Sequence, residues 1–550
     1  MTKLEEFTRT AAAGYLQNIV FVDDEIYYQP TGRPVELTSV LPAFKPPFAN
    51  TATVLKNDDV DGSQKEDIPF HPKQLVGSFA KEGMVCALYE PSVGFETTKG
   101  SEIFKLCERA DAVIFDWDLF GEDGNNILPL INNLVDDSQN SVPHHVRLCV
   151  IYTNKPDLER VANAIYEHLN NAKLEIEIVQ NPLSLRAGAT RIIVLGKPNA
   201  PGRTPENMAL EVLEENLAAR VIDEFAKMNS GALPSYALHG MSSIRRNSQK
   251  ILDKFHGDMD GAFLMHRALM IADGDAFDQL PELLSEEVLA VILDDQIPSA
   301  DLVQISMEIA NALPLDLQNL DWQSLPGCPK YAEGELVRMY LGGGEPAIEG
   351  KHKFGEKKGV PVEQLHSAMG CNHSKAEKRL AALFNVRTRY LKSKPPTLGF
   401  GTIVRYHHAE GETDEFTCYA LCLMPICDSI RLKHDNNRPT SFPFWSLKEV
   451  KKNVGGRGVV VLTKEDSYSS LMASGKPKDM LWIDKFKPDA SETVIASKDD
   501  DSFWFQGEKL RLEWVAQLKP AHAQRIAHDI GQSFSRVGVV EAEWLRILTG

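Results

Sequence analysis

The chain has 550 residues, of which 43% are hydrophobic and 25% charged, and its formal net charge is −18. This length exceeds what one hydrophobic core can organise, so several globular domains are expected. The acidic balance argues against a surface dominated by nucleic-acid contacts, so a nucleic-acid partner is not expected.

Membrane and secretory features are not expected either. The sequence has no run of about 18 apolar residues, the minimum for a membrane-spanning helix. The first residues, MTKLEEFTRTAAAG, do not combine a basic start with an apolar stretch, as a secretory signal would. The eight cysteines are scattered through apolar segments, which is typical of reduced thiols. We therefore expect a cytoplasmic protein without membrane contact.

In the first part of the chain, short apolar runs alternate with helical patterns. The apolar runs that predict strands are residues 18–22, 84–89, 112–115, 147–152 and 191–195. Helical periodicity covers residues 97–110, 125–135 and 157–169. This alternation predicts an α/β fold with a flavodoxin-like, doubly wound parallel sheet of five strands.

Four regions are predicted along the chain. The α/β domain covers residues 1–203 and carries a Pro-rich insertion at 26–83. A helical connector follows at 204–312, beginning with a helix that starts at Thr204-Pro205 and has an apolar stripe from Leu210 to Phe225. Residues 313–394 are predicted to be a linker with a basic stretch. Residues 395–550 are predicted to form a mixed α+β, mainly β, domain.

Acidic residues follow two of the predicted strands directly. Asp23 and Asp24 come after the first strand, and Asp116 and Asp118 come after the third. Carboxyl ends of parallel strands meet at one edge of the sheet, where ligands bind. Clustered carboxylates repel one another unless a cation neutralises them, and Mg²⁺ suits an all-oxygen set. The predicted metal ligands are Asp23, Asp24, Asp116 and, through its main-chain carbonyl, Asp118.

A hydroxyl and an amine follow the last two strands of the predicted sheet. Thr153 ends the fourth strand, and Lys197 comes just after the fifth. A lysine can neutralise phosphoryl oxygens and a hydroxyl can donate a hydrogen bond to them. These types predict phosphoryl transfer to a carboxylate, with Asp116 as nucleophile and Thr153 and Lys197 as catalytic partners.

Four segments carry a family resemblance. They are NIVFVDDE at 18–25, DAVIFDWDLFGEDG at 111–124, VIYT at 150–153 and GKP at 196–198. In type and order they resemble the signature segments of response-regulator receiver domains. The resemblance implies a receiver domain that uses magnesium and is phosphorylated on Asp116 by a histidine kinase. Two positions depart from the family pattern: Asn154 where a small residue is usual, and Val194 where an aromatic residue is common.

Later segments extend the resemblance to the whole chain. IRRN at 244–247, CLMPICDSIRL at 422–432, RVG at 536–538 and EWLR at 543–546 resemble segments of large bacterial receiver proteins. Some of those proteins belong to two-component-like anti-phage defence systems. The resemblance implies a response regulator with a cognate histidine kinase as partner, and an effector protein or a second copy as a further partner.

The main alternative is an enzyme. The segment IFDWD at 114–118 also resembles the first motif of haloacid-dehalogenase-type phosphatases, in which Asp116 would be the nucleophile and Asp118 the general acid. The acidic pair argues against this alternative, because those enzymes carry it after the lysine, whereas Asp23 and Asp24 precede Lys197.

Other patterns are weaker. Zinc sites at His366, Cys371 and His373, or at Cys418, Cys422 and Cys427, do not have paired CxxC spacing. Residues 57–62 imitate the start of a calcium-binding loop, but Ile68 occupies the position of the essential glutamate. His239 is interpreted as a structural histidine rather than a phosphorelay residue. The basic stretch at 375–394 is interpreted as a solvated helix face followed by a polar linker.

Overall fold

The structure is a computed structural model. It describes residues 1–26, 72–141, 146–179, 183–269, 279–312, 375–390, 393–409, 415–432, 439–450, 458–464, 467–473 and 481–534. The chain divides into two compact units, the first ending at residue 311 and the second containing the described residues from 375 onward. Within the described ranges, no helix combines the length and apolar character needed to cross a bilayer.

The first unit is built on a seven-stranded sheet. Its strands are β1 Asn18–Val22, β2 Val85–Tyr89, β3 Ala112–Phe115, β4 Arg147–Thr153, β5 Glu177–Ile178, β6 Ser184–Ala187 and β7 Thr190–Gly196. The order is β2-β1-β3-β4-β7-β6-β5, and the first five strands in this order are parallel. This confirms the predicted flavodoxin-like sheet. The antiparallel strands β6 and β5, which were not predicted, extend it beyond β7.

Helices cover both faces of this sheet. Among the described residues up to 312, the α-helices are α1 Lys3–Tyr15, α2 Pro72–Lys81, α3 Glu102–Glu108, α4 Leu128–Asp136, α5 Leu158–Asn171, α6 Pro205–Met208, α7 Leu217–Met228, α8 Ala232–Arg246, α9 Ser248–Leu252, α10 Asp260–Leu269, α11 Leu280–Asp294 and α12 Ser299–Ala312. Helices α3, α4 and α5 pack on one face, and α1, α2 and α7 on the other. Consecutive strand residues such as Val113 and Ile114 therefore point into different cores.

The helix predicted to start at Thr204 is interrupted. Thr204 caps α6, which ends at Met208, and the next α-helix, α7, begins only at Leu217. In between, the N–H of Val212 donates to Gly196 O (3.0 Å) and Tyr152 Oη donates to Val212 O (2.5 Å). This segment therefore runs beside β7, and the prediction of a continuous helix was wrong here.

Part of the predicted connector belongs to the core beneath the sheet. Leu217, Val221 and Phe225 of α7 are fully buried and pack in the same cluster as Phe21 and Ile114. Helix α1, which the sequence analysis did not predict, lies on the same face. Its signal was a capping box, since Thr2 accepts from Glu5 N and the Glu5 side chain accepts from Thr2 N.

The second unit is mostly β. Its elements are α13 Lys375–Asn385, β8 Thr402–Ala409, β9 Glu415–Cys422, α14 Ile426–Ser429, β10 Thr440–Glu449, β11 Gly458–Lys464, β12 Ser467–Ala473, β13 Leu481–Phe486, β14 Ser497–Asp499, β15 Ser502–Gln506, β16 Arg511–Gln517 and α15 Pro520–Phe534. The strands form one antiparallel sheet of order β11-β12-β10-β9-β8-β16-β15-β14, with β13 paired to β10. Helix α15 packs on one face through Ala523, Ile526 and Ile530. This agrees with the mainly β domain predicted there.

Some predictions fall outside the described residues. These are the calcium-loop imitation at 57–68, the possible zinc ligands His366, Cys371 and His373, and most of the predicted linker. Within the described part of that linker, Lys375–Asn385 is helical, and the guanidinium of Arg389 lies over the rings of Phe503 and Trp514, 4.8 and 4.7 Å from their centroids.

Candidate functional site

The strand register brings the predicted site residues to one edge of the sheet. Asp116 follows β3, and its N–H donates to Val22 O (2.9 Å), just before Asp23. Thr153 ends β4 opposite Gly196, and the N–H of Lys197 donates to Thr153 O (2.9 Å). Because β1, β3, β4 and β7 are parallel and in register, all four loops leave the sheet on the same side.

Three carboxylates form a tight cluster at this edge. Asp23, Asp24 and Asp116 each place one oxygen within 4.8 Å of the others. Asp23 is fully buried and Asp116 is only 8% exposed, whereas Asp24 is partly exposed at the mouth. Main-chain donors orient the first two acids: Glu25 N–H donates to Asp23 Oδ1 (2.8 Å) and Phe120 N–H donates to Asp24 Oδ2 (2.8 Å).

Lys197 supplies the positive charge within the cluster. Its Nζ lies 2.7 Å from Asp23 Oδ2, with hydrogen-bond geometry, and 3.4 Å from Asp116 Oδ1. At the longer distance the contact with Asp116 is ionic, and Asp116 Oδ1 is buried without a hydrogen-bond donor. Two of the three carboxylates thus share one ammonium, which leaves net negative charge in a largely desolvated space.

This arrangement shifts two pKa values. Burial raises the pKa of Asp116 to about 7, Lys197 opposes the rise, and the neighbouring charges of Asp23 and Asp24 add to it. Burial opposes the charged form of Lys197, but Asp116 and Asp23 outweigh burial and raise its pKa above the ordinary value. Lys197 therefore stays charged at neutral pH, whereas Asp116 is poised between its two forms.

The donor set fits a hard divalent cation. Carboxylate oxygens are the ligands that Mg²⁺ prefers, and it binds through one or two protein carboxylates together with phosphate oxygens and water. Asp116 Oδ1 accepts no hydrogen bond, so its lone pairs can coordinate a cation. Asp23, Asp24 and Asp116 are the residues that would hold the ion.

Asp118 lies outside this cluster. Its Oδ2 forms an ion pair with Lys155 Nζ (2.8 Å), and its Oδ1 accepts from Asp123 N–H (2.9 Å). Its main-chain carbonyl, predicted to be a ligand, accepts from Gly121 N–H (3.1 Å). The structure brings three of the four predicted metal ligands together, and coordination by Asp118 stays a prediction.

Thr153 lies where the sequence placed it, but it is enclosed. It is fully buried, and its Oγ1 accepts from Lys155 N–H (3.2 Å). Asn154, whose bulk departs from the family pattern, is exposed. The carbonyl of Thr153 lies between Lys197 N–H and the guanidinium of Arg203, at 2.9 and 2.5 Å.

Sequence reasoning missed two basic residues beside the site. Lys155 bridges Asp118 and Asp123, at 2.8 and 3.2 Å, and Arg203 donates to carbonyls of both functional loops. Lys155, two residues after Thr153, was visible as a charge in the same loop. Arg203 lies 50 residues from Thr153, and no local signal marks that contact.

The site also depends on one tight packing contact. Trp117, next to Asp116, is 3% exposed, and its Nε1 donates to Asp123 Oδ1 (3.1 Å). Gly124 has a φ of +87°, and a Cβ there would lie 2.2 Å from the indole. Asp123 and Gly124, which close this loop, therefore hold Trp117 in place.

The family comparison agrees with this geometry. Residues 15–202 match the family model of the response receiver domain, and this segment contains the parallel sheet and every site residue predicted from the sequence. Residues 15–202 thus form a receiver domain, and members of that family are phosphoacceptor signalling domains that are generally not classical enzymes. Receiver domains typically bind Mg²⁺ at an acidic cluster such as the one formed here by Asp23, Asp24 and Asp116. Neither the curated proteins nor the solved structures gave a significant match to the chain.

The weaker sites gain no support. Among the described residues, only Asp23, Asp24 and Asp116 form a group suited to a metal, so Cys418, Cys422 and Cys427 do not converge. His239 lies on α8, where its Nε2 contacts Asp295 O (2.9 Å) and its ring packs against Phe7. This is the environment of a partly buried structural histidine.

Proposed function

We propose that the protein is a response regulator whose receiver domain accepts a phosphoryl group on Asp116 in a Mg²⁺-dependent reaction. The observation that carries the proposal is the pocket in which Asp116 meets Asp23, Asp24 and Lys197. The family match over residues 15–202 supports the phosphoacceptor role.

The chemistry follows from the side chains. A carboxylate oxygen of Asp116 attacks phosphorus, a P–O bond forms, and the donor's bond to phosphorus breaks with the electron pair leaving on the donor. Lys197 neutralises phosphoryl oxygens as they approach. A bound Mg²⁺ supplies charge neutralisation between the carboxylates and the phosphoryl group. Water later attacks phosphorus, which releases phosphate and restores the carboxylate.

The raised pKa of Asp116 suits this role. A carboxyl group whose pKa is about 7 is only partly ionised at neutral pH when no cation is bound. Binding of a cation by the acidic cluster therefore favours the ionised, nucleophilic form of Asp116. Cation binding is then coupled to deprotonation, so Mg²⁺ would increase the fraction of Asp116 in the carboxylate form.

The donor and the output belong to the same proposal. A histidine kinase would supply the phosphoryl group from phosphohistidine, with the imidazole as leaving group. Phosphorylation would alter the loops that carry Thr153 and Lys197 and thereby bias contacts with an effector protein or a second copy. We place this system in the cytoplasm and, from the resemblance of the whole chain, in two-component-like anti-phage defence.

Phosphorylation with a small donor tests the proposal. The full chain incubated with phosphoramidate and Mg²⁺ should gain one phosphoryl group by intact-mass spectrometry, and a chelator should prevent it. Asp116→Asn should abolish the modification, whereas Asp118→Asn should still accept the group. Continued labelling of folded Asp116→Asn would overturn the assignment.

The phosphatase alternative requires the carboxyl group of Asp118, whereas the receiver proposal does not. As general acid, Asp118 would be needed for turnover of p-nitrophenyl phosphate, but its carboxylate is engaged by Lys155 and Asp123 N–H. Continuous turnover that is lost in Asp118→Asn would favour the phosphatase. Stoichiometric modification without turnover would favour the receiver.

A further inference from the structure

Arg203 joins the two loops that carry Thr153 and Lys197. Its guanidinium is completely buried and donates to Thr153 O (2.5 Å), to Lys155 O (3.3 Å) and to Lys197 O. The three carbonyls come from the loop after β4 and the loop after β7. One planar side chain therefore fixes the separation between them.

A partly exposed carboxylate, Glu211, balances the charge of the buried Arg203 guanidinium. Glu211 Oε1 lies 2.8 Å from Arg203 Nη1, and Glu211 Oε2 accepts from Asn199 N–H (3.2 Å). Glu211 also pairs with Gly196 through a parallel β-bridge. The pair thus braces the segment between Lys197 and Arg203 against the end of β7.

Gly196 provides the space that the guanidinium occupies. A Cβ on Gly196 would lie 2.3 Å from Arg203 Nη1 and 2.6 Å from its Cζ. Any larger residue directly before Lys197 would push the guanidinium away from its carbonyls. Glycine at position 196, directly before Lys197, therefore leaves room for Arg203 to reach its carbonyl acceptors.

We propose that Arg203 is a positioning residue for phosphoryl transfer, which holds the main chain of Thr153 and Lys197 so that the Lys197 ammonium stays beside Asp116. This inference rests on the proposed function. Arg203 donates to main-chain carbonyls and not to the carboxylate cluster, so it acts through the two loops. Lysine cannot replace it, because one ammonium does not reproduce a planar fork spanning three carbonyls.

The test measures the rate of Asp116 phosphorylation by phosphoramidate in the full chain. Arg203→Lys removes the fork, and Gly196→Ala displaces the guanidinium while leaving it in the protein. Both variants should slow phosphorylation about 10- to 100-fold, the range expected when a reacting group is misplaced by about 1 Å. Mg²⁺ affinity should not fall in either variant, since Asp23, Asp24 and Asp116 are unchanged.

Two controls separate positioning from general stability. Arg147 is a buried arginine that lies outside the site and donates to Glu108 O (2.7 Å). Gly77 is a glycine with open space around its Cβ position. Arg147→Lys should lower the melting temperature but leave the phosphorylation rate unchanged. Gly77→Ala, inside α2, should raise the melting temperature slightly and leave the phosphorylation rate unchanged, which controls for the glycine substitution.

Each outcome decides the inference. Slow phosphorylation by both folded variants, Arg203→Lys and Gly196→Ala, without a loss of Mg²⁺ affinity, would support it. Wild-type rates in either folded variant would overturn it while leaving the phosphoacceptor role intact. A wild-type chain that accepts no phosphoryl group would overturn both the inference and the function on which it rests.

Discussion

The ammonium of Lys197 lies 3.4 Å from Oδ1 of Asp116, although β7 and β3, which precede these residues, are separated in the sheet by β4. Lys197 therefore reaches across the end of β4, and its contact with Asp23 (2.7 Å) extends to the strand beyond β3. One lysine thus spans four neighbouring strand ends. This geometry makes the charge balance of the site sensitive to single substitutions.

Stability should depend on the ionisation of Asp116. Its folded pKa of about 7 lies above the ordinary value of 3.8, so folding disfavours its charged form. The resulting destabilisation is absent below about pH 4, grows as pH rises towards 7 and is complete above that. With a chelator present, Asp116→Asn should therefore raise the melting temperature at pH 8 but not at pH 4.

The expected gain at pH 8 is on the order of 1 kcal/mol or more. Asp118→Asn, which removes a more exposed carboxylate outside the cluster, serves as the matched control. A melting temperature of Asp116→Asn that stays at the wild-type value at pH 8 would contradict the desolvation argument.

Cation affinity should depend on Asp24 much more than on its neighbour Glu25. Asp24→Asn keeps an oxygen that can accept from Phe120 N–H and removes only the charge. We expect Mg²⁺ affinity to fall by about tenfold or more, because the loss of a direct ligand should cost at least as much as the loss of a residue that only hydrogen-bonds to a ligand. Isothermal titration with Mg²⁺ measures this. Glu25 is an exposed acid outside the cluster, so Glu25→Gln should lower the affinity much less than Asp24→Asn does.

Replacement of Lys197 should have opposite effects on cation binding and phosphorylation. Lys197→Met keeps the aliphatic stem and leaves Asp23 and Asp116 without their ammonium, which should cost about 3–5 kcal/mol of stability in chelator. Mg²⁺ should bind more tightly, because it no longer competes with the lysine, and should restore much of that loss. Phosphorylation should nevertheless slow by about 100-fold or more.

Lys155→Met is the control for that experiment, since Lys155 is a lysine of the same edge that pairs with Asp118 and Asp123. It should not tighten Mg²⁺ binding to the same degree. If Lys197→Met bound Mg²⁺ more weakly than the wild type, the view that ammonium and cation compete for these carboxylates would be wrong.

Two glycines of the loop after Asp116 offer a matched pair. Gly121 and Gly124 both have positive φ, but a Cβ meets nothing within 4 Å at Gly121 and overlaps the Trp117 ring at Gly124. Gly121→Ala should cost about 1 kcal/mol from backbone strain alone. Gly124→Ala should cost clearly more, measured by denaturant unfolding, because it also displaces Trp117. Equal losses would show that the indole packing contributes little.

Most of the site was predictable because it is local to strand ends. Apolar runs predicted the parallel strands, and residues after the carboxyl ends of such strands must meet at one edge. Asp23, Asp24, Asp116 and Lys197 therefore converge as expected. Their chemical roles, and that of Thr153, remain predictions until phosphorylation is measured.

Other features depend on contacts that only the tertiary structure decides. Asp118 pairs with Lys155 because the loops after β3 and β4 fold towards each other. The segment around Val212 leaves its helical pattern because it pairs with Gly196. The antiparallel strands β5 and β6 are too short to give a clear periodic pattern.

Residue types along the chain were enough to predict the parallel sheet, the order of the site residues and the acidic character of the pocket, because apolar periodicity and the residues at strand ends are local features. Tertiary structure decided which charges share Lys197, how far burial raises the pKa of Asp116, and that Arg203 spans both loops. The physical reason is that desolvation and long-range hydrogen bonds depend on neighbours brought from 50 or more residues away.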